Sequence, residues 1–260
     1  MEFTQKEFYT TQDLLSIMEL LRSACPWDKQ QTHQSIRKNL IEETYEVAWA
    51  IDTGDTALLK EELGDLLLQV VFHAQMEKEC GSFDFAGVCD ALCKKLINRH
   101  PHVFGETQAK NPEQALQNWD EIKKSEKQDK TATRAIEDVP RCLPALMRSQ
   151  KVQQRAAKTG FDYPNVDMAV SDLRSEVKEL EQALSAGQAA DIQEELGDLI
   201  FSAVNVSRFV GVDAEEALTK SCDKFIDRFE KVEALARERS VDMHKADINM
   251  LVSLWKKAKE

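Results

Sequence analysis

An all-α fold built from two tandem helical bundles is predicted by three features of the sequence. Apolar residues recur at helical spacing along most of the chain, and no alternation of apolar and polar residues is long enough to predict a strand. Charged residues make up 31 % of the 260 residues, and glycine and proline are sparse, which is typical of helix-rich proteins. The pentapeptide Glu-Glu-Leu-Gly-Asp occurs twice, at residues 61–65 and 194–198. We therefore expect tandem duplicated bundles of four to five helices each.

The overall charge and the distribution of apolar residues argue against several functional classes. The net charge is −12 and the isoelectric point about 5.0, whereas a protein that coats nucleic acid needs a positive surface. No apolar stretch approaches the roughly 18 residues of a membrane span, and residues 1–10 lack the apolar core of a signal peptide. The six cysteines form no Cys-x-x-Cys pair, which argues against zinc. We expect a cytoplasmic protein without a nucleic-acid or membrane partner.

Five helices are predicted in the N-terminal half, which we take as residues 1–124. Asp55 follows the turn at Gly54 and is suited to capping a helix, and Pro112 suits a first helical turn. The predicted helices are residues 12–24, 32–51, 55–79, 84–98 and 111–123.

Residues 125–140 are predicted to be a linker, because they are polar, poor in aromatic residues and end at a proline. Helical spacing resumes in the C-terminal half, residues 141–260, where five further helices are expected. The first begins near residue 143, the second covers about residues 167–184, the third contains the second pentapeptide, the fourth covers about residues 213–239 and the last contains Trp255.

Each copy of the pentapeptide is matched by a carboxylate pair one helix upstream, and the two sets are 133 residues apart. Residues three apart lie on one face of a helix, so each half offers four carboxylates from two helices. Such a group repels strongly and stays ionised only beside a compensating cation. The two quartets are Glu43, Glu46, Glu62 and Asp65, and Glu176, Glu179, Glu195 and Asp198.

The residue types predict a Mg2+ site, with Mn2+ as a substitute, because carboxylate oxygens without histidine or cysteine suit hard cations. Both quartets are followed, in the same order, by a Lys/Arg pair and a Trp/Lys pair. Paired cations suit phosphate oxygens, and tryptophan can stack on a nucleobase. Taken singly, they would be ordinary surface charges and core tryptophans. The pairs are Lys95 with Arg99, Trp119 with Lys123, Lys224 with Arg228, and Trp255 with Lys259.

Metal, phosphate-binding cations and an aromatic residue together predict hydrolysis of a nucleoside polyphosphate. No P-loop sequence is present. A non-catalytic helical adaptor that binds nucleotide or a partner protein is the alternative.

Seven stretches spread over nearly the whole chain resemble a known family: CPWDKQQTH, LIEETYEV, KEELGDLLLQVVFHAQM, RHPHVFG, LPALMRSQKVQQRAAKTGFDYP, EELGDLIFSAVNVSR and KFIDRFEKVE. The sequence looks like the MazG family of the all-α NTP pyrophosphatase superfamily, in its tandem two-domain form. This resemblance implies Mg2+-dependent cleavage of NTPs and dNTPs to the monophosphate and pyrophosphate, with broad base tolerance. It also implies a homodimer whose helices complete the bundles. A narrower dUTP- or phosphoribosyl-ATP-type pyrophosphohydrolase is the alternative within the superfamily.

The resemblance further implies that the C-terminal repeat is the catalytic one. Its metal ligands would be Glu176, Glu179, Glu195 and Asp198, with Glu176 or Glu179 as the base. The substrate contacts would be Glu194, Lys224, Arg228, Trp255 and Lys259. The N-terminal quartet and the residues that follow it would form a second site.

One position departs from the family pattern Glu-Glu-x-x-Glu. The N-terminal copy keeps this pattern from Glu42 to Glu46, whereas Ser175 replaces the first glutamate in the C-terminal copy. On residues alone, the N-terminal quartet is the fuller one.

Overall fold

The computed structural model describes residues 5–126 and 131–259, and within these residues it contains α-helices and one short 3-10 helix but no strand. The predicted all-α class is therefore confirmed. The chain divides into two compact units, Met1–Gln128 and Asp129–Glu260, which we call the N-terminal unit and the C-terminal unit. Each unit holds one copy of the pentapeptide. No helix among the described residues is long and apolar enough to cross a membrane.

The N-terminal unit follows the predicted order of helices with one shifted start. The second helix was expected from residue 32 but begins at Arg37, because Thr32 and Ser35 first form a turn in which each side-chain oxygen accepts from the other's backbone N–H. The bounds are α1 Thr11–Ala24, a 3-10 turn Asp28–Gln30, α2 Arg37–Thr53, α3 Thr56–Glu79, α4 Phe85–Arg99, α5 Pro101–Phe104 and α6 Pro112–Ser125.

The C-terminal unit begins inside the segment that was predicted as a linker. Residues 127–130 of that segment lie outside the described residues, but α7 forms within it and packs on α8, where Arg155 Nη1 donates to the carbonyl of Ala135 at 2.7 Å. This part of the segment is therefore not a free connection, since helix packing and the buried Val139 hold it to the bundle. The bounds are α7 Ala132–Glu137, α8 Ala145–Ala157, α9 Val166–Ala186, α10 Ala189–Phe209, α11 Ala214–Glu238 and α12 Ile248–Lys257.

The described part of each unit contains one helix more than the five that the sequence predicts. The additional helices are short: α5 has four residues and α7 has six. Helices this short carry little hydrophobic periodicity, so the pattern of the sequence does not reveal them.

A tight hairpin in each unit places the pentapeptide helix against the helix with the upstream carboxylates. Gly54 ends α2 with φ 69°, and Gly187 ends α9 with φ 75°. Glycine adopts this left-handed conformation without a steric penalty, so the chain can turn back within two residues. As a result α3 packs along α2, and α10 packs along α9.

The apolar core of the N-terminal unit lies between α1 and the C-terminal part of α3. Met18, Val71 and Phe72 are buried there with Ile36 and Met76. On the edge of this core, Arg22 binds both carboxylate oxygens of Glu79, which ties α1 to the end of α3.

The N-terminal cap of the pentapeptide helix differs between the two units. The Asp55 side chain accepts from the N–H groups of Ala57 and Leu58 and caps α3, whereas Gln188, 133 residues later, makes no side-chain cap to α10. We expect Asp55→Ala to lower the free energy of unfolding by about 1 kcal/mol. Gln188→Ala is the matched control and is expected to change little. Urea unfolding followed by circular dichroism measures both, and equal effects would contradict this explanation.

Candidate metal centre

Each helical hairpin brings three of its four predicted carboxylates together. In the C-terminal unit, one oxygen atom each from Glu176, Glu179 and Glu195 lies within 4.8 Å of the other two. In the N-terminal unit, Glu43, Glu62 and Asp65 meet the same condition. Each close group therefore joins carboxylates of the pentapeptide helix to those of the preceding helix: α9 contributes two of them, and α2 contributes one.

The fourth carboxylate of each quartet lies outside this close group, but its charge helps to raise pKa values within the group. The charge of Asp198 contributes to the raised pKa values of Glu176 and Glu195. In the N-terminal unit, Glu46 contributes in the same way to the raised pKa values of Glu43 and Glu62.

The pKa values of the two central glutamates in the C-terminal unit are raised first by their partial removal from water. Mutual repulsion adds to this: Glu179 is the largest charge contribution for both Glu176 and Glu195. A raised carboxyl pKa means that the cluster resists full ionisation when no cation is near. The donor atoms are all carboxylate oxygens, so the site fits a hard divalent cation such as Mg2+.

Ser175, which departs from the family pattern, takes part in the cluster. Its hydroxyl donates to Glu179 Oε1 at 2.9 Å. Glu179 belongs to the close group of the C-terminal unit, whereas its N-terminal counterpart Glu46 does not belong to the other. Ser175 therefore orients Glu179 within the close group, whereas Glu46 is hydrogen-bonded to Glu43 and lies outside it.

The predicted cations and tryptophan of the C-terminal unit are not joined to its carboxylates. Among the described residues, no hydrogen bond or ion pair links Lys224, Arg228 or Lys259 to the cluster. The Trp255 ring packs on Phe225 with ring centroids 5.0 Å apart and flanks the core around Leu254. Glu194 is exposed beside the cluster and adds to the raised pKa of Glu195.

Two of the N-terminal counterparts of these residues, Arg99 and Trp119, contact each other. Arg99 pairs with Glu126, and its guanidinium carbon lies 5.3 Å from the centre of the Trp119 ring. Lys95 is exposed on α4, and Lys123 is half-buried on α6.

A polar group that the sequence did not predict lies next to the C-terminal cluster. Asp172 accepts from the hydroxyl of the buried Ser202 at 2.7 Å and is hydrogen-bonded to Tyr163. Burial and this second bond raise the pKa of Tyr163. Asp172 stands four residues before Glu176, and that spacing could have placed it on the same face of α9.

Comparison with known proteins points to one family for both units. The model of the MazG nucleotide pyrophosphohydrolase domain matches residues 31–104 and 166–233. A nucleoside triphosphate pyrophosphohydrolase of Escherichia coli K12 is 43 % identical over 251 residues, which cover 95 % of each chain. A protein of Thermotoga maritima named nucleoside triphosphate pyrophosphohydrolase/pyrophosphatase MazG is 43 % identical over 250 residues, again 95 % of each chain.

Among solved structures, a MazG-related protein from Thermotoga maritima aligns with 44 % of this chain and 99 % of its own, at 30 % identity and a TM-score of 0.39. Each of the two segments that the family model matches contains one carboxylate quartet. The family match and the full-length relatives show that this chain belongs to the MazG nucleotide pyrophosphohydrolase family.

Proposed function

We propose that this chain is an enzyme that hydrolyses NTPs and dNTPs to the nucleoside monophosphate and pyrophosphate, with Mg2+ and with broad base tolerance. The observation that carries the proposal is the all-carboxylate cluster on α9 and α10. The names of the full-length relatives in Escherichia coli and Thermotoga maritima support the same reaction.

The C-terminal quartet, Glu176, Glu179, Glu195 and Asp198, would hold the metal. When bound, Mg2+ would offset the phosphate charge and make a bound water more acidic. The oxygen of a water then bonds to a phosphorus at the α–β bridge, the bridging P–O bond breaks and pyrophosphate leaves. Glu176 or Glu179 accepts the proton of the water.

One observation supports the C-terminal unit as the catalytic one. Ser175 orients Glu179 in the cluster there. The proposed substrate contacts are Glu194, Lys224, Arg228, Trp255 and Lys259, of which Lys224 and Arg228 would hold phosphate oxygens.

Replacing the equivalent pentapeptide glutamates tests both the reaction and its location. We expect Glu195→Gln to abolish Mg2+-dependent pyrophosphate release, because it removes a cluster oxygen that carries charge. Glu62→Gln is the matched control in the N-terminal unit, and it is expected to spare most of the activity.

The assay uses the full chain with each common NTP and dNTP as substrate. Turnover of all of them supports broad base tolerance, and turnover of a single base would contradict it. If Glu62→Gln abolished the activity and Glu195→Gln spared it, the N-terminal unit would be the catalytic one.

We also propose that the chain works as a homodimer. The helices of both hairpins leave large apolar side chains 40–59 % exposed, which is more than a lone bundle usually tolerates.

Light scattering should give about twice the monomer mass of 29.6 kDa, and Ile200→Glu should shift the protein towards the monomer. A monomeric wild type would contradict the proposal. The exposed residues are Tyr45, Trp49, Leu63, Leu67, Val177, Leu184, Leu196 and Ile200.

A further inference from the structure

A carboxylate of the N-terminal unit binds the arginine that the sequence predicts to hold phosphate. Glu126 directly follows α6, and its carboxylate accepts hydrogen bonds from two residues at the end of α4, Arg99 and Asn98. Glu126 Oε2 lies 2.6 Å from Arg99 Nη2 and 3.2 Å from Arg99 Nε. Asn98 Nδ2 donates to the other oxygen, Oε1, at 2.9 Å. Both oxygens of this carboxylate are therefore held by N–H groups.

This ion pair is partly shielded from water. The side chain of Arg99 is 15 % exposed and that of Glu126 is 31 % exposed. Fully exposed pairs contribute little because water screens them, whereas a partly buried guanidinium with two N–H groups on one carboxylate binds it more strongly. The same N–H groups match the oxygens of a phosphate. Glu126 and a phosphate would therefore compete for the same atoms of Arg99.

The bound arginine also covers the tryptophan of the N-terminal unit. The guanidinium carbon of Arg99 lies over the Trp119 ring, 5.3 Å from its centre. The His100 ring packs against the same tryptophan, with the ring centroids 4.9 Å apart. One face of Trp119 is thus occupied by the guanidinium that Glu126 holds, and a nucleobase cannot stack on that face at the same time.

The equivalent cations of the C-terminal unit are not held in this way. Lys224 and Arg228 lie on α11, which follows the pentapeptide helix as α4 does in the other unit. In the part of the chain that the structure describes, neither of them forms an ion pair, and no cation lies over Trp255. The two units therefore differ in whether the arginine predicted to bind phosphate already has an anionic partner.

We propose that Glu126 is a built-in competitor that keeps nucleoside polyphosphates out of the N-terminal unit. The proposal rests on the proposed function, because it takes Arg99 and Trp119 as the nucleotide contacts of a second site. The carboxylate is tethered beside Arg99, so it acts at a high effective concentration, and an anion from solution competes at a disadvantage. Removing the charge of Glu126 frees the arginine for phosphate and the ring for a base.

The test counts the ATP molecules bound per full-length chain by calorimetry, with Ca2+ in place of Mg2+ to slow turnover. We expect one ATP per wild-type chain, and Arg228→Met should remove it. In Glu126→Gln we expect a second ATP, bound at least about tenfold more tightly than any second ATP of the wild type, because a charge-assisted bond no longer competes. Glutamine still accepts from Asn98, so the contact between α4 and the end of α6 is kept.

Glu121→Gln is the matched control, because it removes the same charge from an exposed position on α6. Glu121 forms no ion pair within the described residues, so this variant should bind one ATP, like the wild type. Adding Arg99→Met to Glu126→Gln should remove the second ATP. A single ATP in Glu126→Gln, or a second one that persists after Arg99→Met, would reduce the pair to a structural tie and overturn the proposal. A wild type that binds a second ATP as tightly as Glu126→Gln would overturn it as well.

Pyrophosphate release with Mg2+ separates this proposal from the proposed function. Release by the wild type, together with one ATP per chain in Glu126→Gln, overturns the competitor and keeps the reaction. A second ATP in Glu126→Gln that depends on Arg99, without release by the wild type, supports the competitor and overturns the reaction. Absence of ATP binding in both the wild type and Glu126→Gln overturns both.

Discussion

Mutual repulsion among the carboxylates on one helical hairpin is the constraint on which the rest of the site depends. The turn at Gly187 lays α10 along α9 and gathers Glu176, Glu179 and Glu195 within 4.8 Å. When no cation is bound, the pKa values of Glu176 and Glu195 are raised. The folded chain therefore keeps protons on these glutamates at a pH where the unfolded chain has already lost them. Above those raised pKa values the cluster is ionised and destabilises the fold, and this penalty fades as the pH falls through them. A bound divalent cation would remove the penalty, so metal binding and the stability of the hairpin are coupled.

The same helical hairpin has different surroundings in the two units. Both keep the cluster, but only the C-terminal unit has Ser175 bonded to Glu179 and an asparagine in the place of the core residue Phe72. In the N-terminal unit, Phe72 fills the core and Asp55 caps the helix. At these two positions the N-terminal unit has a buried core residue and a helix cap, whereas the C-terminal unit has the half-buried Asn205 and the uncapping Gln188.

The sequence predicted those features that depend on local periodicity. The apolar spacing within one helix predicts helices such as α3 and α9. The spacing of acidic residues on two consecutive helices predicts that Glu176 and Glu195 lie close together. The start of α2 at Arg37 and the short helix α7 could not be predicted, because side-chain turns and packing on α8 decide them. The hydrogen bond from Gln153 Nε2 to the carbonyl of Phe201 joins residues 48 apart, and no local pattern reveals it. The cytoplasmic location and the absence of a nucleic-acid partner stay predictions.

The measurement that tests the central claim most directly is Mn2+ or Mg2+ binding to the nucleotide-free chain as a function of pH, by calorimetry. Because the cation must displace protons from glutamates whose pKa values are raised, we expect affinity to begin to fall, with decreasing pH, above 4.5, the ordinary value for glutamate. Glu176→Gln combined with Glu195→Gln should abolish binding at the C-terminal unit. Binding that is unchanged in this double variant, or that does not depend on pH above 4.5, would contradict the account.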